Sequence, residues 1–168
     1  MSFIKSYQQG VYPDTSYAGQ SDWWIDNGTG KYTDNFFIVI NYPGVTVCTG
    51  FMKWVIPLVN VEVLSATITL DVSSDKPIYY KEYPSGSTAL CTFPNGGGIG
   101  IQTESLNASG ITLLQDWIDK TKVNNGFLLT GEGVIAEAYG VRYATKESRP
   151  KLTITYQNKP NTSACQVS

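Results

Sequence analysis

The chain has 168 residues, enough for one domain with a core of its own and too few for two. Charged residues are 15% of it, against roughly 25% in ordinary globular chains; with a net charge of -2 there is no basic stripe for a phosphate backbone, which excludes nucleic acid as an expected partner. Histidine is absent, which removes Ser-His-Asp and Cys-His triads, imidazole metal sites and a histidine pH switch.

The first residues, Met1 to Gly19, lack the apolar run of a secretory signal, and about 1–10 is expected as an N-terminal arm. No run approaches 18 apolar residues, so no membrane-spanning helix is expected. Asp14, Asp22, Asp26 and Asp34 cluster early. They offer oxygen ligands for a structural calcium, Asp22 and Asp26 foremost, against the simpler reading of solvated turn carboxylates. Trp23 and Trp24 are adjacent on an expected strand, so pleating sends one ring inward and the other outward. An outward Trp offers a flat platform for a sugar ring or a partner protein.

Apolar and polar residues then alternate with period two. Phe51 to Leu58 places Met52, Trp54 and Ile56 on one face, with Phe51, Lys53 and Val55 on the other. Ser65 to Ser73 places Ala66, Ile68, Leu70 and Val72 inward, and Lys151 to Tyr156 does the same with Leu152, Ile154 and Tyr156. Asn35 to Asn41 and Gly126 to Thr130 read as strands buried on both faces. Tyr79, Tyr80 and Tyr83, beside Lys81 and Glu82, form an aromatic strip suited to a protein interface or a sugar.

Pro94-Asn95-Gly96-Gly97-Gly98 reads as a loop tip; no Lys-Ser/Thr follows it, so it is no phosphate cradle. One helix is expected, at about 112–120. Thr112 and Gln115 form a capping box, Leu114, Trp117 and Ile118 share a face, and Asn124-Asn125-Gly126 ends the segment. So short a helix needs tertiary support, so it is expected to plug the end of a sandwich with Trp117. Residues 157–168 read as a polar tail. Cys48, Cys91 and Cys165 fit no zinc spacing; three reduced thiols are the simpler reading, a single Cys48 to Cys91 bridge the other. Asn27, Asn107 and Asn161 match the glycosylation pattern and are expected to be silent. Glu104, Asp116, Asp119, Glu132 and Glu137 are carboxylates in no recognisable acid and base spacing, with Asp116 and Asp119 expected to be solvated on the helix.

Several segments together resemble the DNRLRE-type β-sandwich modules, a group of carbohydrate-binding-module-like domains of secreted enzymes, surface proteins and viral structural proteins. The resemblance runs from Tyr7-Gln8-Gln9-Gly10-Val11 through Asp22-Trp23-Trp24-Ile25, Phe51-Met52-Lys53-Trp54 and Val63 to Leu70. It ends on Ile111 to Ile118, Asn124 to Leu129 and Glu147 to Tyr156. The chain departs from the family in lacking an Asp after the aromatic residue of the Phe51 strand and a Trp-rich segment between Ser73 and Leu106.

The resemblance implies a single antiparallel β-sandwich of jelly-roll type without catalytic machinery, which agrees with the all-β reading of the residues. The expected function is that of a non-catalytic structural and binding protein on the exterior of a virus particle, a phage capsid decoration or fibre-associated protein. Its expected partners are virion proteins and like copies in a homo-oligomer, with Trp23, Trp24, Tyr79, Tyr80 and Tyr83 at the contacts and no cofactor beyond the calcium alternative. The second reading is an extracellular carbohydrate-binding module of a polysaccharide-degrading enzyme or adhesin.

Overall fold

The computed structural model describes residues 1–8, 22–26, 30–32, 37–41, 48–74, 76–84, 86–94, 97–131, 136–140 and 145–160; the side chains of 8, 22–26, 30–32, 37–41, 48, 49 and 146 lie outside the description. In chain order the elements are β1 (Ser2–Gln8), β2 (Asp22–Asp26), β3 (Gly30–Tyr32), β4 (Phe37–Asn41), β5 (Cys48–Met52), β6 (Val61–Val72), β7 (Ile78–Glu82), β8 (Cys91–Phe93), β9 (Gly100–Ser105), α1 (Ala108–Ile118), β10 (Phe127–Gly131), β11 (Ala136–Tyr139) and β12 (Lys151–Asn158). They form two antiparallel sheets around one core, an all-β sandwich.

β6 organises the first sheet. Thr67 and Thr69 pair with β12 on one edge and with β9 on the other, while Val72 pairs with both Gly100 and Ala138. A strand has two edges, so β11 and β12 lie end to end along the edge opposite β9. β1 pairs β12 from Ser2↔Gln157 to Gln8↔Lys151, and β4 pairs β11. The second sheet runs β3-β2-β5-β10-β7-β8.

The expected alternation in β6 and β12 is present: Ala66, Ile68, Leu70, Val72, Leu152 and Ile154 are all buried. Elsewhere local geometry changes the reading. Of the expected strand 51–58, β5 keeps only Phe51 and Met52, because residues 53–59 join no ladder and Pro57 has no N–H to offer one. Its inward face survives, with Met52 and Trp54 buried and Ile56 packed on the core. β10 is buried on one face, not two. Phe127 and Leu129 point into the core while Leu128 and Thr130 are half exposed, as the period of two requires when only one side of a sheet is covered. Ser2–Gln8, expected as an arm, is strand β1; in the expected tail, Gln157 and Asn158 extend β12, and 161–168 lie outside the described residues. The expected strand Asn35 to Asn41 holds β4, with its side chains outside the description.

The helix begins one turn earlier than expected. Asn107 is its cap: its Oδ1 accepts from Gly110 N–H at 3.0 Å and its Nδ2 donates to Ala89 O at 2.8 Å. Thr112 instead donates to Ala108 O inside the helix. Gln115 reaches sideways to β6, donating to Val61 O at 2.9 Å and accepting from Val63 N–H at 2.8 Å. It thus supplies the hydrogen bonds of a missing strand. The helix stops at Ile118, with Lys120 in the left-handed region at φ 61. The Asn-Asn-Gly turn starts β10 rather than ending the helix. Asn124 accepts from Gly126 N–H and donates to Trp54 O, and Gly126 has φ +87.

Trp117 does plug the sandwich. Its ring meets Phe127 edge on at 5.1 Å between centroids, and Trp54 and Tyr80 meet the same ring at 5.9 and 5.7 Å. Phe127 therefore joins α1, the 53–59 segment and β7. Phe127→Ala is expected to cost about 3–5 kcal/mol, read as a lower urea midpoint at unchanged slope. Asn107→Ala is expected to cost about 1 kcal/mol in the same assay.

Candidate functional site

The tyrosine strip is divided by the pleat. Tyr80 is 0% exposed, packed between Phe93 and Phe127, with its hydroxyl donating to Met52 Sδ at 3.5 Å. It is a core residue and not a contact residue, which corrects the expectation. Tyr79 and Lys81 face outward on β7, with Lys81 Nζ 6.0 Å from the Tyr79 ring centroid. Tyr83 lies edge on against Phe51 at 5.1 Å. Phe51 in turn covers Gly126: a Cβ there would stand 2.7 Å from Met52 O and 2.8 Å from the Phe51 ring. Phe51 is thereby buried, although the strand pattern had put it on the outward face.

Trp23 and Trp24 lie on β2, and their side chains are outside the description. Their register is informative. Trp24 pairs with Gly50 in a row that continues through Leu129 and Tyr80 to Cys91, three buried residues. Trp23 pairs with Phe51 in the row of Leu128 and Lys81, both half exposed. Trp23 thus belongs to the row that contains the outward positions of β7 and β10.

Asp22 and Asp26 are the first and last residues of β2, with side chains outside the description; Asp14 and Asp34 lie outside the described residues altogether. Among the described residues no group of three or more His, Cys, Asp or Glu is placed to hold a metal. The loop tip at 94–98 carries the chain from β8 in one sheet to β9 in the other, with Asn95 and Gly96 outside the described residues.

Asp119 is exposed, as expected, and Asp116 half-buried, and both also hold partners. Asp119 accepts from Lys159 Nζ at 2.7 Å and from Gln115 Nε2 at 3.0 Å. The Lys159 hydrogen bond is the chief reason that its carboxyl lies below the ordinary carboxylate range. Asp116 takes the Thr121 hydroxyl at 2.9 Å, with Lys122 Nζ at 3.9 Å.

Asp116 also lines a groove that the sequence reading missed. Between α1 and the turn after β7 is an open, polar cavity of about 470 Å³ lined by Glu82, Ser87, Thr88, Thr112, Asp116 and Lys122, among others. Lys122 Nζ lies 3.4 Å from Glu82 and so sits between two carboxylates. The turn is shaped by Gly86, whose missing Cβ would meet the backbone N of Glu82 at 2.6 Å, and Gly86 N–H bonds to Glu82 O at 2.7 Å. Pro84 and Gly86 signal a turn in the sequence. Nothing local signals that α1 lies across from it.

Cys91 is a free, buried thiol, so the alternative Cys48 to Cys91 bridge is absent. β10 and β7 separate β5 from β8, placing the two strands roughly 14 Å apart, twice the Cα limit of about 7 Å for a bridge. Burial, with the nearby charge of Glu104, pushes the Cys91 thiol up to about 12.

Two outcomes follow. Cys91 is expected to resist a neutral-pH thiol reagent in the native chain and to react once urea unfolds it, mapped by peptide mass spectrometry. Asp119 has a lowered folded pKa, so its tie to Lys159 contributes stability above the ordinary carboxylate range and loses it as pH falls through the lowered value. Lys159→Ala is expected to flatten that acid limb of a melting temperature against pH curve. No protein-family model matches the chain, and no curated protein matches it.

Proposed function

We propose that the protein is a non-catalytic structural and binding component of the exterior of a virus particle, a capsid decoration or fibre-associated protein that packs against virion proteins and like copies. The observation that carries this reading is the outer face of the first sheet. Ser6, Thr153, Thr67 and Ser105 form one register row across β1, β12, β6 and β9, and Lys151, the buried Thr69 and Thr103 stand in the next row of that face. Neighbouring hydroxyls bond to one another, Ser6 to Thr153 at 3.0 Å and Thr69 to Thr103 at 2.9 Å. The middle of this face is made of hydroxyls that satisfy one another in part, with charge at its margin on Lys151 and Asp71, which suits packing against a neighbouring protein in an array. The low net charge of the chain adds little repulsion between copies.

The groove between α1 and the turn after β7 favours a second reading, a carbohydrate-binding module of a secreted enzyme or adhesin. Its hydroxyls and two carboxylates are suitable partners for a polyhydroxylated ligand. Immunogold electron microscopy of the native source separates the two. Evenly spaced label on particles is the expected result. Label spread over extracellular or cell-wall polysaccharide rejects the particle reading; retention on a polysaccharide column that is lost in Asp116→Asn or Trp23→Ala then supports the module.

A further inference from the structure

We propose that β1 is an assembly edge and that a second copy of this chain occupies it, the two β1 strands pairing antiparallel about a twofold axis centred on Ile4. β1 gives one edge to β12 along its whole length, and among the described residues no strand pairs the other. An open edge presents a row of backbone N–H and C=O groups to any extended chain, and such edges are usually blunted by charge, proline or a bulge. β1 has a complete seven-residue register with β12, no proline and a single charged side chain, Lys5. Beside Lys5 it displays Ile4 at 72% and Phe3 at 39% exposure.

The position of Lys5 selects the register of such a pair, and in that register the strand is complementary to itself. Centring a symmetric pair on Lys5 sets two ammonium groups opposite each other, which is unfavourable. Moving the axis by one residue, to Ile4, removes the conflict: Phe3 faces the second copy's Lys5, Ile4 faces the second copy's Ile4, and Ser2 faces the second copy's Ser6. Each pair is complementary, a cation over a ring, an apolar contact and two hydroxyls. The interface is isologous, so the Ile4 contact lies on the axis and every other contact occurs twice. It extends the first sheet without a break from one copy into the next and lengthens the row that begins at Ser6.

This identifies the surface used by the like copies in the assembly reading above, and the edge carries it without reference to any particle. The test is sedimentation of the full chain across roughly 1–100 µM. The 18.4 kDa chain is expected at twice its mass, and Ile4→Lys at the mass of one copy, still unfolding cooperatively and melting where the parent does at its lowest concentration, since Ile4 is mostly solvent exposed. On mild oxidation Ile4→Cys is expected to join two copies through position 4, mapped by mass spectrometry against the parent chain, and Ser6→Cys is not. Single-copy mass for the parent throughout, a dimeric Ile4→Lys, or linkage at position 6 instead of 4 overturns the proposal. A dimer in solution with no label on particles leaves the edge intact and rejects the virion reading, so the two failures are distinct.

Discussion

Everything at one end of the sandwich rests on the edge-to-face packing around Phe127. Three aromatic rings from three separate stretches of chain converge on it: Trp54 from the unpaired segment after β5, Tyr80 from the middle of β7 and Trp117 from the helix. Of these stretches only β7 is held by ladders on both edges. Residues 53–59 make no ladder, and an eleven-residue helix is marginal in water. The rings add a geometric preference to their burial, so each stretch is fixed in angle as well as in depth. Gln115 completes the junction by bonding to both Val61 and Val63, which ties the helix to β6 by the same hydrogen bonds that a neighbouring strand would make.

The division of the tyrosines follows from the same packing. Tyr80 belongs to the core because it alternates with Tyr79 and Lys81 on a strand covered on one side only. The surface left by β7 is an interrupted line, with Tyr83 turned onto Phe51 and the polar groove beginning at Glu82. The groove exists because α1 crosses the end of the sandwich, and α1 is held there by Phe127 and Gln115. The stability of the aromatic junction and the shape of the groove are therefore coupled.

Period-two alternation in β6 and β12 was readable residue by residue, because each strand has one buried face and a one-residue slip would reverse it. Trp117 as a plug was readable for a related reason: an amphipathic helix this short must bury its apolar side somewhere. What failed were readings that depend on a distant partner. Capping-box spacing is local and points to Thr112, whereas Asn107 is chosen by its simultaneous bond to Ala89, eighteen residues away. The groove was invisible because its two walls come from parts of the chain about thirty residues apart. The depth of β10 was misjudged because a run of apolar residues does not say how many faces of its sheet are covered.

The pairing of β1 with β12 also orders events in time. Residue 2 lies opposite residue 157, so β1 is made well before its only described partner. Until β12 is laid beside β6, both edges of β1 are open, and the loop that closes between them spans nearly the whole chain. Of the described pairings in the first sheet, this one carries the largest loop-closure cost.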